Sequence, residues 1–357
     1  MSKQPVHELF QRYEKNPILT ASDWPYPVNT VFNPAAVQMK DHTLLLVRVE
    51  DYRGISHLTA ARSSNGIDNW QIDTKPTFEA DPEHYPEEIW GIEDPRITYI
   101  DETKFWAVLY TAYSEKGPLV SLATTEDFHS FKRWGPITPE NDKDASLFPI
   151  RFNGRWVMLH RGVSKYGRNK IIGDLLLNAM EKANSGDLSK SEIEKYSEDS
   201  MKIIENIENR SHIWISYSDD MKHWVDHKIL IPARKGAWWD ANKIGLSTPP
   251  MLTTKGWLIL YHGVRNTPSG DIYRLGLALL DTDDPSIVLC RSNEWIFGPK
   301  EIYEIEGDVK SVVFPCGWIK KDDMIRIYYG SADSHVAMAT AKLSDLLDYI
   351  VQFPIDG

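Results

Sequence analysis

Five times along this 357-residue chain, a proline precedes an apolar run closed by Tyr, His or Arg, and any fold has to accommodate that recurrence. The instances are Asn33-Pro34 before Leu44–Arg48, Asp94-Pro95 before Trp106–Tyr110, Phe148-Pro149 before Trp156–Arg161, Pro249-Pro250 before Trp257–His262, and Phe314-Pro315 before Ile325–Tyr329. Each copy continues into a third strand-like segment and a turn rich in Ser, Thr and Asp, as in Ala60–Trp70, Ala123–Trp134 and Ser216–Trp224. Ala278–Pro285 and Ala339–Leu346 are weaker versions. Short strands at regular spacing with turns between them indicate a sandwich or barrel-like β architecture, and a repeat of this length made of four strands indicates a propeller. The reading is therefore all-β: a five-bladed β-propeller, residues 1–357 forming one domain, whose first strands line an axis and bring distant parts of the sequence together. The alternative is a two-domain β protein in which the prolines merely mark turns.

The third interval between prolines is lengthened by residues 165–210, where the pattern changes. Ile171, Leu175, Leu176 and Met180 recur at helical spacing, as do Ile193, Tyr196, Ile203 and Ile207. Ser185-Gly186 separates the two stretches, and Ser189-Lys-Ser-Glu192 has the form of a capping box. A helical insertion in the third blade is expected, as a lid, a subunit contact in a homo-oligomer, or a solvated decoration.

The formal charge of -11 argues against nucleic acid or an anionic membrane as partner, so a site that uses phosphate needs its own cluster of cations. Cys290 and Cys316 are too few for a disulfide scaffold and lack metal-site spacing, which points to a reducing, cytoplasmic setting. No apolar run has the length of a signal peptide core or a membrane span. The 13 Trp, 16 Tyr and 11 Phe offer flat faces for sugar rings, although aromatics also favour strands for packing alone.

Within Trp90-Gly-Ile-Glu-Asp-Pro-Arg-Ile97, Asp94 is the candidate acid, a carboxyl held before a proline at the start of a strand. Breaking a glycosidic bond takes a proton for the leaving oxygen and a nucleophile on the opposite face of the sugar. A hydrolase adds a second carboxylate to activate water, whereas a phosphorylase needs a cradle of cations and hydroxyls for phosphate. At the funnel positions the chain offers Lys143, His160-Arg161, Lys243, Tyr273 and Arg274. Asn33, Arg48, Glu50, Asp51, His160, Asp333 and His335 suit sugar hydroxyls. Neither His160 nor His335 has a spaced partner, so no metal is assigned, and each can equally be a satisfied structural histidine.

Gly91-Ile-Glu-Asp-Pro-Arg96, Lys143-Asp144, His160-Arg161, Lys243-Ile-Gly245, Tyr261-His-Gly263, Phe314-Pro-Cys-Gly317 and Tyr329-Gly-Ser-Ala-Asp333 together resemble glycoside hydrolase family 130, over about Asn16 to Leu347. The resemblance implies a five-bladed propeller and inverting phosphorolysis of β-mannosides to α-mannose 1-phosphate, with inorganic phosphate as co-substrate and no cofactor. It implies Asp94 as the single catalytic acid, passing its proton through a hydroxyl of the mannose, and Lys143, Arg161, Lys243 and Tyr273 as the phosphate site. The family's mannosidases lack this basic set. Closest in pattern is the branch acting on β-1,2-linked mannobiose and short mannooligosaccharides, with β-1,4-mannoside phosphorolysis, hydrolysis and sugar binding without catalysis as alternatives. Two departures stand out: Ala35 where relatives often carry serine near phosphate, and the long 165–210 insertion.

Overall fold

The computed structural model describes residues 8–139, 141–162 and 210–355. It contains five antiparallel sheets arranged as the blades of a propeller. A short strand, β1 (Gln11–Arg12), precedes them. The first blade is β2 (Thr30–Gln38), β3 (Thr43–Glu50), β4 (Ser56–Ser63) and β5 (Gln71–Ile72). The second is β6 (Ile92–Ile100), β7 (Phe105–Ser114), β8 (Gly117–Thr125) and β9 (Lys132–Pro136), and the third β10 (Asp142–Leu147), β11 (Trp156–Gly162), β12 (Ile213–Ser218) and β13 (Val225–Ile231). The fourth comprises β14 (Lys243–Leu246), β15 (Met251–Thr253), β16 (Gly256–Thr267), β17 (Gly270–Leu280) and β18 (Val288–Arg291). The fifth has β19 (Val313–Lys321), β20 (Met324–Ser331) and β21 (His335–Lys342). Its outermost strand is β1, whose Gln11 and Arg12 pair with Thr340 and Ala339. The weak fifth copy in the sequence thus has a physical cause: the start of the chain completes the last blade and closes the ring.

Five apolar clusters hold the ring together, one in each seam between neighbouring blades. Leu44 and Leu46 of the first blade meet Ile97 and Val108 of the second. Ala107 and Leu109 meet Leu147 and Trp156 across the next seam. Val157 and Leu159 meet Ile244 and Trp257, Leu258 and Leu275 meet Ile325 and Tyr329, and Tyr328 and Val336 meet Val31 and Leu45. A blade covered on both faces needs apolar residues at successive positions, which is why runs such as Leu44-Leu-Leu-Val47 do not alternate with polar ones. Six of the 13 tryptophans are buried here: Trp24, Trp156, Trp224, Trp239, Trp257 and Trp318. For these the packing explanation of the aromatic content is correct.

The five prolines are not equivalent. Pro34, Pro95 and Pro315 lie within inner strands, but Pro149 and Pro250 follow the inner strands of the third and fourth blades. Phasing the repeats on proline therefore misaligns the third copy, where the counterpart of Asn33-Pro34 and Asp94-Pro95 is Asp144-Ala145. The helical insertion expected over 165–210 lies outside the described residues, save Arg210 at its end. β11 ends at the same blade end as the β3–β4, β7–β8, β16–β17 and β20–β21 hairpins, and this end is the mouth of the hub. No helix among the described residues is long and apolar enough to cross a membrane.

Candidate active site

A repeated backbone irregularity builds the hub. The register of β2 on β3 slips between Phe32 and Ala35, that of β6 on β7 between Glu93 and Arg96, and that of β10 on β11 between Lys143 and Ser146. At each slip one residue has left-handed backbone: Asn33 (φ 44), Asp94 (φ 49) and Asp144 (φ 55). Asn and Asp tolerate this region better than other side chains with a Cβ, and a bulge re-aims the side chain it carries. Asp94 is therefore not in the extended conformation that a following proline favours, and it lies inside β6 rather than at its first residue.

Asp94 is buried. Its Oδ1 accepts hydrogen bonds from Asn33 Nδ2 at 2.9 Å and from Arg48 Nη1 at 3.0 Å. Arg48 also reaches Glu93 Oε1 at 3.0 Å and Glu50 Oε2 at 3.8 Å, and its Nε donates to Ser56 Oγ. Burial pushes the Asp94 carboxyl upward, but Arg48, Lys143, Arg96 and the Asn33 amide outweigh it and hold the pKa below the usual carboxylate value. At neutral pH Asp94 is therefore ionised.

Asp144 ties the cations together. Arg161 Nε approaches Asp144 Oδ2 to 2.8 Å, Arg96 Nη2 lies 3.3 Å from Oδ1, and His262 Nε2 lies 3.5 Å from Oδ2. Arg96 is further held by the carbonyls of Leu246 and Ser247, both at 2.8 Å, and by that of Asp94 at 3.2 Å. Arg161 is paired with Lys143 across β10 and β11. The Nη groups of Arg161 make no hydrogen bond among the described residues. Lys243 lies 5.2 Å from the centre of the Tyr273 ring and 3.6 Å from Asp271 Oδ2. Burial and then Arg161 lower the Lys243 pKa, and burial raises that of Tyr273 against the pull of Arg161 and Lys143. Lys143, Arg161, Lys243 and Tyr273 thus share one field, over a floor formed by Phe314 and His262, whose rings are 4.6 Å apart.

Asp333 lies in the β20–β21 hairpin with left-handed backbone (φ 48) and accepts no hydrogen bond among the described residues. Burial raises its pKa to about 7; Arg48 and Lys143 oppose this, and Asp94 and Glu93 add to it. Asn33, Arg48, Glu50 and Asp333 therefore gather around Asp94. Two expected residues do not. His160 is buried, with Nδ1 2.5 Å from Asp142 Oδ2 and Nε2 2.7 Å from Ser216 Oγ, and is a satisfied structural histidine of the third blade. Asp51 folds back on its own hairpin, accepting from the backbone N–H groups of Arg53 and Ile55 and from the Arg53 guanidinium. His335 opens the third strand of its blade, and its buried Nδ1 has no hydrogen-bond partner among the described residues. Arg274 turns away from the mouth cations, because adjacent residues of a strand face opposite ways and its neighbour Tyr273 faces the hub. Ala35 is buried in the seam between the first two blades, where it packs with Val37 and Leu46.

Asp144, Arg96, Glu93 and His262 were assigned no role from sequence. For Asp144 the signal was present: aligned on the bulge, it occupies the position of Asn33 and Asp94.

The model of the glycoside hydrolase 130 family, described as beta-1,4-mannooligosaccharide phosphorylase, matches residues 2–179 and 178–352. The chain is 32% identical over 326 residues to the 1,2-beta-oligomannan phosphorylase of Thermoanaerobacter sp. (strain X514), covering 88% of this chain and 91% of that one. It is also 32% identical over 352 residues to the beta-1,4-mannooligosaccharide phosphorylase of Ruminococcus albus, covering 96% and 91%. Among solved structures, the beta-1,2-mannobiose phosphorylase of Listeria innocua in complex with beta-1,2-mannobiose superposes with a TM-score of 0.75 at 28% identity, over 96% of this chain and 99% of that one.

Proposed function

The chain belongs to glycoside hydrolase family 130, and from that premise we propose that it catalyses the inverting phosphorolysis of β-mannosides, with β-1,2-linked mannobiose and short mannooligosaccharides as substrates. The observation that carries this reading is one anchored carboxylate, Asp94, beside a cluster of cations that an otherwise acidic chain keeps at its hub. Phosphate is held by Lys143, the Nη groups of Arg161, Lys243 and the Tyr273 hydroxyl. A phosphate oxygen attacks the anomeric carbon from the face opposite the leaving oxygen, forming the new C–O bond as the glycosidic bond breaks. The proton from Asp94, passed through a hydroxyl of the mannose, reaches the leaving oxygen. The products are α-mannose 1-phosphate and a saccharide shorter by one unit. Asn33, Arg48, Glu50 and Asp333 hold the sugar's hydroxyls and fix Asp94.

Asp94 Oδ1 is committed to Asn33 and Arg48, so Oδ2 is the atom to carry the proton. An acid held ionised cannot donate. Phosphate supplies the remedy, because Arg48, Lys143 and Arg96 together depress the pKa of Asp94 and a dianion beside Lys143 offsets part of that field. Proton uptake by Asp94 is thereby linked to arrival of the nucleophile, which guards against acid chemistry on a sugar bound without phosphate.

Incubation with β-1,2-mannobiose, with and without phosphate, tests this. Mannose 1-phosphate should form only with phosphate, and equal turnover without it would sink the proposal. A parallel incubation with β-1,4-mannobiose decides the linkage. Asp333, with a pKa near 7, is the carboxylate suited to activate water, so release of free mannose that survives Arg161→Ala but not Asp333→Asn would mark a hydrolase instead.

A further inference from the structure

The chain crosses from β13 to β14 through residues 232–242, over the mouth end of the blades, and returns there after β18. Between these crossings lies a cleft of about 500 Å3 lined by Trp238, Trp239, Trp295, Arg265, Arg274 and Asn293. Its floor is rigid: Trp239 is stacked on Tyr261 with ring centres 5.6 Å apart, and its Nε1 donates to the Asn293 carbonyl at 2.9 Å. Above that floor Trp238 is 43% exposed, with only one face taken by Arg234 at 4.7 Å. Arg274 lies 5.1 Å over the Trp295 ring. Among the described residues neither Arg265 nor Arg274 has a carboxylate within ion-pair distance or a hydrogen-bond acceptor, so their donors remain available.

Exposed indole faces beside unengaged guanidinium and amide donors are the chemistry that recognises sugar rings and their hydroxyls. The cleft also has the right address. Lys243, Val264 and Tyr273 are aligned across β14, β16 and β17, which sets the Tyr273 backbone about 10 Å from that of Lys243 across two strand spacings. Arg274 is the next residue, on the opposite face of the blade. The cleft therefore opens on the same end of the ring as the hub, within reach of a short oligosaccharide. Resting on the β-mannoside reading above, we propose that this cleft is an accessory subsite for the distal units of a longer, neutral mannooligosaccharide, and that it sets chain-length preference without taking part in the chemistry.

Trp238→Ala and Arg265→Ala, both at exposed side chains, test it, with Arg274→Ala as a further variant. KM for a β-1,2-linked mannohexaose should rise about tenfold while the constants for mannobiose stay unchanged. An unchanged hexaose KM, or a parallel rise for both substrates, would overturn the proposal. Calorimetric titration with mannohexaose in the absence of phosphate should show binding weakened in Trp238→Ala. If the variants instead lose affinity for inorganic phosphate or mannose 1-phosphate and not for the oligosaccharide, the occupant is an anion and the proposal fails. Should the unaltered protein phosphorolyse no β-mannoside, the functional reading falls, and the calorimetric arm still decides whether the cleft binds oligosaccharide.

Discussion

Asn33 of the first blade donates from Nδ2 to Oδ1 of Asp94 in the second, over 2.9 Å and 61 residues of sequence. Both stand at the same point of the repeat, each with a left-handed backbone inside a bulge. One copy of the motif thus supplies the carboxylate and its neighbour supplies the amide that orients it. Asn33→Ala should lower kcat about tenfold, the worth of one hydrogen bond to a charged group, and leave the phosphate KM nearly unchanged. Asn33→Asp places a second negative charge beside Asp94 and should move the alkaline limb of the pH–rate profile upward, since a like charge favours the protonated form.

Asp94→Asn keeps shape and volume but removes the proton. Phosphorolysis should fall about 10²–10⁴-fold, the usual worth of general acid catalysis. Binding of phosphate, measured by calorimetry, should persist.

Arg161 and Lys243 should separate in their effects. Arg161 is buried against Asp144, so Arg161→Ala leaves a buried carboxylate short of a partner and should cost about 3 kcal/mol of stability as well as raising the phosphate KM. Lys243 is 31% exposed and its one carboxylate partner among the described residues is Asp271, at 3.6 Å. Lys243→Ala should raise the phosphate KM with less than about 1 kcal/mol lost. Urea melts alongside kinetics distinguish the two.

Gly330 matters through the space it leaves. A Cβ at Gly330 would collide with Asn33 Oδ1 and stand 2.7 Å from the Asn33 backbone nitrogen. Gly330→Ala should displace Asn33 and cost about 1–3 kcal/mol, with a fall in kcat at least as large as that of Asn33→Ala.

The raised pKa of Asp333, about 7 against an ordinary value near 3.8, has a definite sign for stability. Between those values the folded protein binds more protons than the unfolded chain, so Asp333 destabilises the fold progressively as pH rises and fully above about 7. Asp333→Asn should therefore stabilise the protein at pH 8 by as much as about 4 kcal/mol, less where solvent screens the site, with the gain vanishing near pH 4. Thermal melts across that range check the slope.

Much of this was legible in the amino-acid order. The number of blades, the choice of Asp94 and the association of Lys143, Arg161, Lys243 and Tyr273 follow from repetition and from motifs, because each blade is a local unit whose strands are neighbours in sequence. His160 and Asp51 were assigned to sugar on residue type alone. What each does depends on a partner no local pattern announces, Asp142 and Ser216 in one case and a hairpin's backbone in the other.

The sequence by itself determined that there would be a ring of five β units with Asp94 and a basic set near its axis, since apolar periodicity and proline placement act over a few residues. Only the tertiary structure decided which way the hub side chains point and what charge they carry. A one-residue bulge reverses the direction of Asp94, and its ionisation is the sum of burial against the fields of Arg48, Lys143 and Arg96, contributed by three different blades. Those fields exist only once the ring has closed.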